Sequence, residues 1–282
     1  MTQLKLLTWN IWMMPRWTFQ SPKNSDRAGA IAEVLLERDF DLICLDKLFD
    51  GGATDVLKRK LGPRYPYAYG PVNAHGSPFK INGGVMIFSR VPLSELREIQ
   101  FSASVGIESW SRKGAMLARG SIEGRAFQVL ATHLQGDDVP SYQPKHQAIR
   151  DQQMLQIAKE LLRPHADAAL PLFLCGDMCT PRRDPSDPFS ESAAYRQMLA
   201  TFAAANGPEE RITLDDQRVH NDLATDDSGR IAELDYILIR QPSGGGVSGS
   251  WERVIFQRRG WDGPNGRRDL AYRYAVAATF TL

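Results

Sequence analysis

The stretch Leu172–Thr180, reading Leu-Phe-Leu-Cys-Gly-Asp-Met-Cys-Thr, constrains this chain more than any other. Its short apolar run, Leu172 to Cys175, reads as a buried strand. Gly176 then releases the backbone and delivers Asp177 at the strand's carboxyl end, where α/β sheets meet their ligands. Taken alone, Asp177 reads equally well as a turn residue. Other apolar runs end in the same way, at Thr8-Trp9-Asn10, Leu45-Asp46-Lys47, Thr132-His133-Leu134-Gln135 and Leu234-Asp235-Tyr236. Each presents polar groups that are costly to bury unpaired. A carboxylate held this way suits a catalytic water or a metal.

The rest of the chain supplies the scaffold. Ser25 is placed to cap a helix over Asp26 to Glu37, with Ala28, Ile31, Val34 and Leu35 on one face. Further helices are expected at Gly51 to Leu61, Gln147 to Leu162 and Ser190 to Ala205. Ala115 to Ile122 and Ala126 to Thr132 read as a hairpin around Glu123-Gly124. Strands are expected at Leu4 to Thr8, Asp41 to Leu45, Gly84 to Ser89, Leu96 to Phe101, Leu234 to Arg240, Trp251 to Gln257 and Tyr274 to Thr281. Met13 to Lys23 and Pro181 to Pro188 read as loops. Two similar halves meet near residue 140, with no composition break between them. The chain therefore reads as one domain over 1–282.

Bulk properties exclude some classes. A net charge of +1 gives no global basic field for nucleic acid. Three cysteines, at positions 44, 175 and 179, make no disulfide framework. No apolar run approaches the ~20 residues of a membrane span, so no stable membrane insertion is expected. The chain enters its first strand with no signal peptide ahead of it. It reads as soluble, and cytoplasmic if expressed as given, or as the mature form of a secreted protein.

The ordered set of motifs is Thr8-Trp9-Asn10, Gly83-Gly84-Val85-Met86-Ile87-Phe88-Ser89-Arg90, Thr132-His133-Leu134-Gln135, Gly176-Asp177-Met178, Leu234-Asp235-Tyr236-Ile237 and Tyr274-Ala275-Val276. It resembles the endonuclease/exonuclease/phosphatase superfamily, and within it the bacterial neutral sphingomyelinase branch. The resemblance runs from about Leu4 to Leu282. It implies a deoxyribonuclease I-like fold: a four-layer α/β/β/α sandwich of two mixed, mainly antiparallel sheets. It also implies Mg²⁺-dependent phosphodiester hydrolysis. An Asn and a Glu at strand ends would hold the metal, a His and an Asp would bind phosphate and orient water, and a terminal His would act as base.

Asn10, His133, Asp177 and Asp235 fit that pattern. Lys47 stands where the metal-binding Glu is expected, and an ammonium repels a cation. Asp46 would compensate only if the backbone slipped by one residue, which turns it to the opposite face, so it is set aside. Cys179 replaces a phosphate-contacting Asn. Tyr272 and Arg273 replace the orienting Asp and the base His, and Arg cannot act as a general base at pH 7. No metal and no cofactor are expected. We read the pattern as a redesigned active site on an inherited phosphodiesterase scaffold, with a non-catalytic pseudoenzyme as the alternative.

Several chemistries stay open. Lys47 is either a solvated surface lysine, a cation standing in for the metal, or an amine nucleophile forming a Schiff base of retro-aldolase type, with Tyr272 shuttling the proton. Cys179 is either a space-filling replacement or a nucleophile for ester hydrolysis, with His133 as its base. Arg273 and Lys113, with Lys47, would hold a phosphate-containing ligand or a small-molecule substrate, and Lys113 reads equally well as a solvated loop residue. Asn10 and Asp235 would line that pocket, and Asp235 also reads as an ion-pair partner. Residual Mg²⁺-dependent hydrolysis through Asn10, Asp177, Asp235 and His133 is the third possibility. Trp12, Trp17 and Trp110 are expected near the mouth. His75, His146, His165 and His220 read as surface residues.

Overall fold

A computed structural model of the chain describes residues 1–15, 18, 23–75, 80–137, 143–184, 186–206, 233–256, 269–271 and 273–282. Each half opens with a strand, a helix and a parallel strand. In the first half these are β1 (Gln3–Met13), α1 (Asn24–Leu36) and β2 (Leu42–Leu48). Then follow α2 (Gly51–Leu61), β3 (Tyr67–Tyr69), β4 (Met86–Ser89) and β5 (Leu93–Gln100). The hairpin β6 (Gly114–Ile122) and β7 (Arg125–His133) turns at Glu123-Gly124, both at positive φ. This left-handed pair matches the twist of the flanking strands.

In the second half, α3 (Pro144–Ile157) continues through a π-helical turn, Ala158–Leu162, into a last helical turn α4 (Arg163–His165). The chain returns as β8 (Leu172–Asp177), a small hairpin β9 (Arg183–Asp184) and β10 (Asp187–Glu191), and α5 (Ala193–Phe202). It closes with β11 (Asp235–Arg240), β12 (Ser248–Val254) and β13 (Ala275–Thr281).

The first sheet has the order β12-β13-β1-β2-β4-β3 and the second β11-β8-β7-β6-β5. Each contains one parallel pair, β1 with β2 and β7 with β8, among antiparallel neighbours. Parallel pairs need a crossover, and α1 and α3 supply it. Three apolar layers follow. Ile31, Leu35 and Leu57 of the helices pack on Leu45 and Phe88 of the first sheet. Leu6, Cys44 and Ile87 meet Phe173, Cys175 and Ile237 between the sheets. Leu174 and Leu238 meet Met154, Ile157 and Met198 of the outer helices. The four-layer expectation holds.

Some boundaries differ from the sequence reading. Lys23, in the left-handed conformation, takes the N-cap of α1 in place of Ser25. Ser190 and Glu191 belong to β10, and α5 begins behind Ser192, whose Oγ accepts the Tyr195 N–H at 3.0 Å. The loop expected at Pro181 to Pro188 contains β9 and the start of β10.

Candidate functional site

The two parallel pairs end at the same place. Asn10 is register-paired with Asp46 in one sheet, and His133 with Asp177 in the other. Asp235 pairs with Asp177 across β11 and β8. The five strand-end groups thus meet because each sheet's parallel pair points its carboxyl ends at the same rim. Asn10 Nδ2 donates to Asp177 Oδ2 at 2.7 Å, joining the sheets directly.

Asp46 is a correction. It is fully buried, and its Oδ2 accepts the backbone N–H of Asp177 at 3.0 Å. No slip of register is needed. Asp46 follows Leu42 and Cys44 on the face turned toward the second sheet, so strict alternation already aims it at β8. The exception to alternation is Lys47, at φ 54, beside a register shift between Asn10 and Met13 and a second left-handed residue, Trp12, at φ 49. This irregular strand end leaves Lys47 half-buried, with its charge acting on Asp177, Asp235, Glu108 and His133.

The carboxyls differ in state. Burial would raise Asp177, but the Arg273 and Lys47 charges and the bonds from Cys179 outweigh it, and Asp177 lies well below the usual range. Asp235 is raised to about 7 by burial and by Asp177, against the opposing Arg273. Asp46 is pushed well above its ordinary value by burial, then by Asp235 and Asp177. Arg273 spans the group, with Nε 3.8 Å from Asp177 Oδ2 and one terminal nitrogen 3.6 Å from Asp235 Oδ2. Its carbonyl accepts from Trp9 Nε1 at 2.8 Å, which fixes the segment against β1. Arg27, buried beneath, donates to the carbonyls of Ile11, Trp12 and Leu270 and ties the same segments together.

Cys179 does not fit a nucleophile. Its thiol donates to Asp177 Oδ1 at 3.2 Å and lies 3.6 Å from Leu134 O, and its own N–H donates to Asp177 Oδ1 at 2.9 Å. Burial, then the Asp177 charge, push the thiol well above its ordinary value, so the reactive thiolate is disfavoured. His133 is a poor base for it. Burial, then Lys113, hold the ring neutral, and its Nε2 lone pair faces the Lys113 ammonium at 3.0 Å.

Lys113 is also corrected. Expected to meet an anion, it is buried, and its ammonium faces Glu108 Oε2 at 2.6 Å, Leu134 O at 2.7 Å and His133. Three donors are thereby matched by three acceptors. Glu108, which the sequence reading missed, is held down to about 2: burial opposes the charge, but Lys113 and its neighbours win. Its Oε2 also accepts the Gly136 N–H at 2.7 Å. A Cβ at position 136 would approach Glu108 Oε1 to 2.9 Å. His146, expected at the surface, is buried with Nδ1 3.1 Å from Asp137 Oδ1. Tyr272, Trp17 and His220 lie outside the described residues. Trp12 is half-buried near the rim, and Trp110 is 65% exposed.

Known proteins carry the same architecture. The profile of the Endonuclease/Exonuclease/phosphatase family matches residues 7–253. A phospholipase C of Staphylococcus aureus is 25% identical over 189 residues, covering 63% of this chain and 57% of the relative. A sphingomyelinase C of Bacillus cereus is 22% identical over 214 residues, covering 72% and 64%. The chain thus spans about three fifths of the length of the curated relatives it matches. A crystal structure of beta toxin from Staphylococcus aureus superposes with a TM-score of 0.85 at 21% identity, over 98% of this chain and 99% of that one. The fold, the converging strand ends and the profile match lead to one assignment: the chain belongs to the endonuclease/exonuclease/phosphatase family.

Proposed function

We propose that this phosphodiesterase scaffold binds a phosphate-containing or other anionic head group through Lys47 and Arg273, without a divalent ion and without the family's hydrolysis. The carrying observation is that two cations, Lys47 and Arg273, act on the same pair of buried carboxylates, Asp177 and Asp235. They stand at the positions where the resemblance calls for a metal ligand and a base.

The donor set does not fit Mg²⁺. Asp177 Oδ2 takes the Asn10 amide, and its Oδ1 takes the Cys179 N–H and thiol. Asn10 Oδ1 accepts the Trp12 N–H at 3.2 Å. Asp46 Oδ1 and Asp235 Oδ1 are buried without a hydrogen-bond partner among the described residues. Both belong to carboxyls raised toward the neutral form. A hard cation needs several oxygen ligands, and a nearby ammonium repels it. Each unit cation at ~4 Å opposes it by on the order of 4 kcal/mol per unit charge at an effective dielectric near 20.

The test is a thermal-shift titration with inorganic phosphate and with phosphocholine. Stabilisation that fades at high salt and is lost in Arg273→Gln and Lys47→Met supports the reading. A flat response, or phosphodiester hydrolysis abolished by chelator, overturns it. A second reading rests on the left-handed backbone at Lys47, since strain of this kind gathers at functional sites. In it, the Lys47 amine of a rebuilt site forms a Schiff base with a carbonyl substrate. Borohydride trapping that adds mass to the parent protein and not to Lys47→Met would establish it.

A further inference from the structure

We propose that Cys44 and Cys175 form a disulfide-capable pair, a modification site that staples the two sheets together directly beneath the strand-end cluster. The two residues occupy equivalent places on facing strands. Cys44 lies two residues before Asp46 on β2, and Cys175 two residues before Asp177 on β8. Alternation puts Cys44 on the same face as Asp46. Asp46 Oδ2 reaches the Asp177 N–H at 3.0 Å, so β2 and β8 cross closely there. A carboxylate oxygen lies three bonds of ~1.5 Å from its own Cα, so the backbones pass within about 7 Å, against the ~10 Å of ordinary stacked sheets. That is near the span a disulfide bridges.

The side chains agree with the backbone. Both cysteines are in the apolar layer between the sheets, at 1% and 0% exposure. The neighbouring Cys175 side chain, then burial, raise the Cys44 thiol well above its ordinary value. Cys179 takes no part, because its thiol is turned to Asp177 and Leu134.

The oxidant is a small-molecule disulfide such as glutathione disulfide. One cysteine, as thiolate, attacks it and releases one glutathione thiol. The second cysteine displaces the other glutathione thiol and closes the bond. Two protein thiols lose two hydrogens and two electrons, and one glutathione disulfide becomes two thiols. Burial makes the folded pair slow to react, so bond formation is expected during folding or transient opening.

The experiment refolds the full chain from denaturant in a reduced/oxidised glutathione buffer, then measures intact mass and maps peptides without reduction. Expected are a loss of two hydrogen masses, a cross-link between the Cys44 and Cys175 peptides, and a Cys179 that a maleimide labels after denaturation. The guanidinium midpoint should rise over that of the reduced chain and fall back with dithiothreitol. Cys179→Ala should keep the cross-link, and Cys44→Ala and Cys175→Ala should each lose it. An unchanged mass in both the parent and Cys179→Ala, or a cross-link that includes Cys179, overturns the proposal.

Discussion

Replacing Asp235 by Asn tests the electrostatics of the site most directly. The carboxyl is 3% exposed and raised from 3.8 to about 7, first by burial and then by Asp177. Between these values the folded chain holds a proton that the unfolded chain has released. Stability from this group is therefore fully present below about pH 4 and lost as pH rises through 7. Roughly three units at 1.36 kcal/mol each give about 4 kcal/mol as a ceiling. Sharing of the proton with Asp177 brings the expected change to about 2–4 kcal/mol. Asp46 carries the same sign and Glu108 the opposite one, so wild-type pH dependence alone does not isolate Asp235. The difference between wild type and Asp235→Asn does. Guanidinium unfolding from pH 4 to 7.5 should show the wild type losing about 2–4 kcal/mol relative to the variant. A difference that stays constant over this range would refute the burial argument.

Glu108→Gln leaves the buried Lys113 ammonium without its counter-charge and should destabilise the fold by about 3 kcal/mol. Chemical denaturation at pH 7 measures it, and a loss under about 1 kcal/mol contradicts a buried pair. Cys179 should resist iodoacetamide at pH 8 in the native protein and react on unfolding, since burial and Asp177 both disfavour its thiolate. Rapid native labelling, read by mass spectrometry, would count against that. Lys47→Glu reverses the sign at the strand end, removing and then adding a term on the order of 4 kcal/mol per unit charge. Calorimetry should detect Mg²⁺ binding in this variant, and an absence of heat would show that Lys47 is not what excludes the ion.

The framework was legible because local pattern and global topology agree. Apolar runs ending in Asn10, His133, Asp177 and Asp235 became strand ends, and the helices between them forced the parallel pairings that gather those ends. Asp46 was misread for a specific reason. With Lys47 as the inward residue, Asp46 would need a slip to reach the site. In fact Asp46 follows the alternation and Lys47 departs from it through a left-handed backbone. Glu108 carried no signal. It lies in a short 3₁₀ turn, and its meaning depends on Lys113, His133 and Gly136, which are brought to it only by the fold. Lys113 misled in a related way: Glu108 lies only 5 residues before it, but its other partners, His133 and Leu134, are 20 and 21 residues away. His146 shows how little a single histidine reveals before its neighbour Asp137 is known.

On the proposed reading, the charged residues of the site compensate one another. Asp46, Asp177 and Asp235 are buried together, and three ionised carboxylates at such range repel strongly in a low dielectric. The structure meets this in two ways. Arg273 and Lys47 supply positive charge, which carries Asp177 below its ordinary value despite burial. What these two cations do not cover shows in Asp235 and Asp46, whose raised values make protons the remaining neutralising charge. On the proposed reading, cations and protons of the chain itself do the neutralising work that a divalent ion would do in the resembled family. An incoming phosphate would then meet the outer sides of Lys47 and Arg273 while their inner charge stays committed to the carboxylates. Binding should accordingly be weak, salt-sensitive and accompanied by proton uptake, because an added anion stabilises the protonated forms of Asp235 and Asp46.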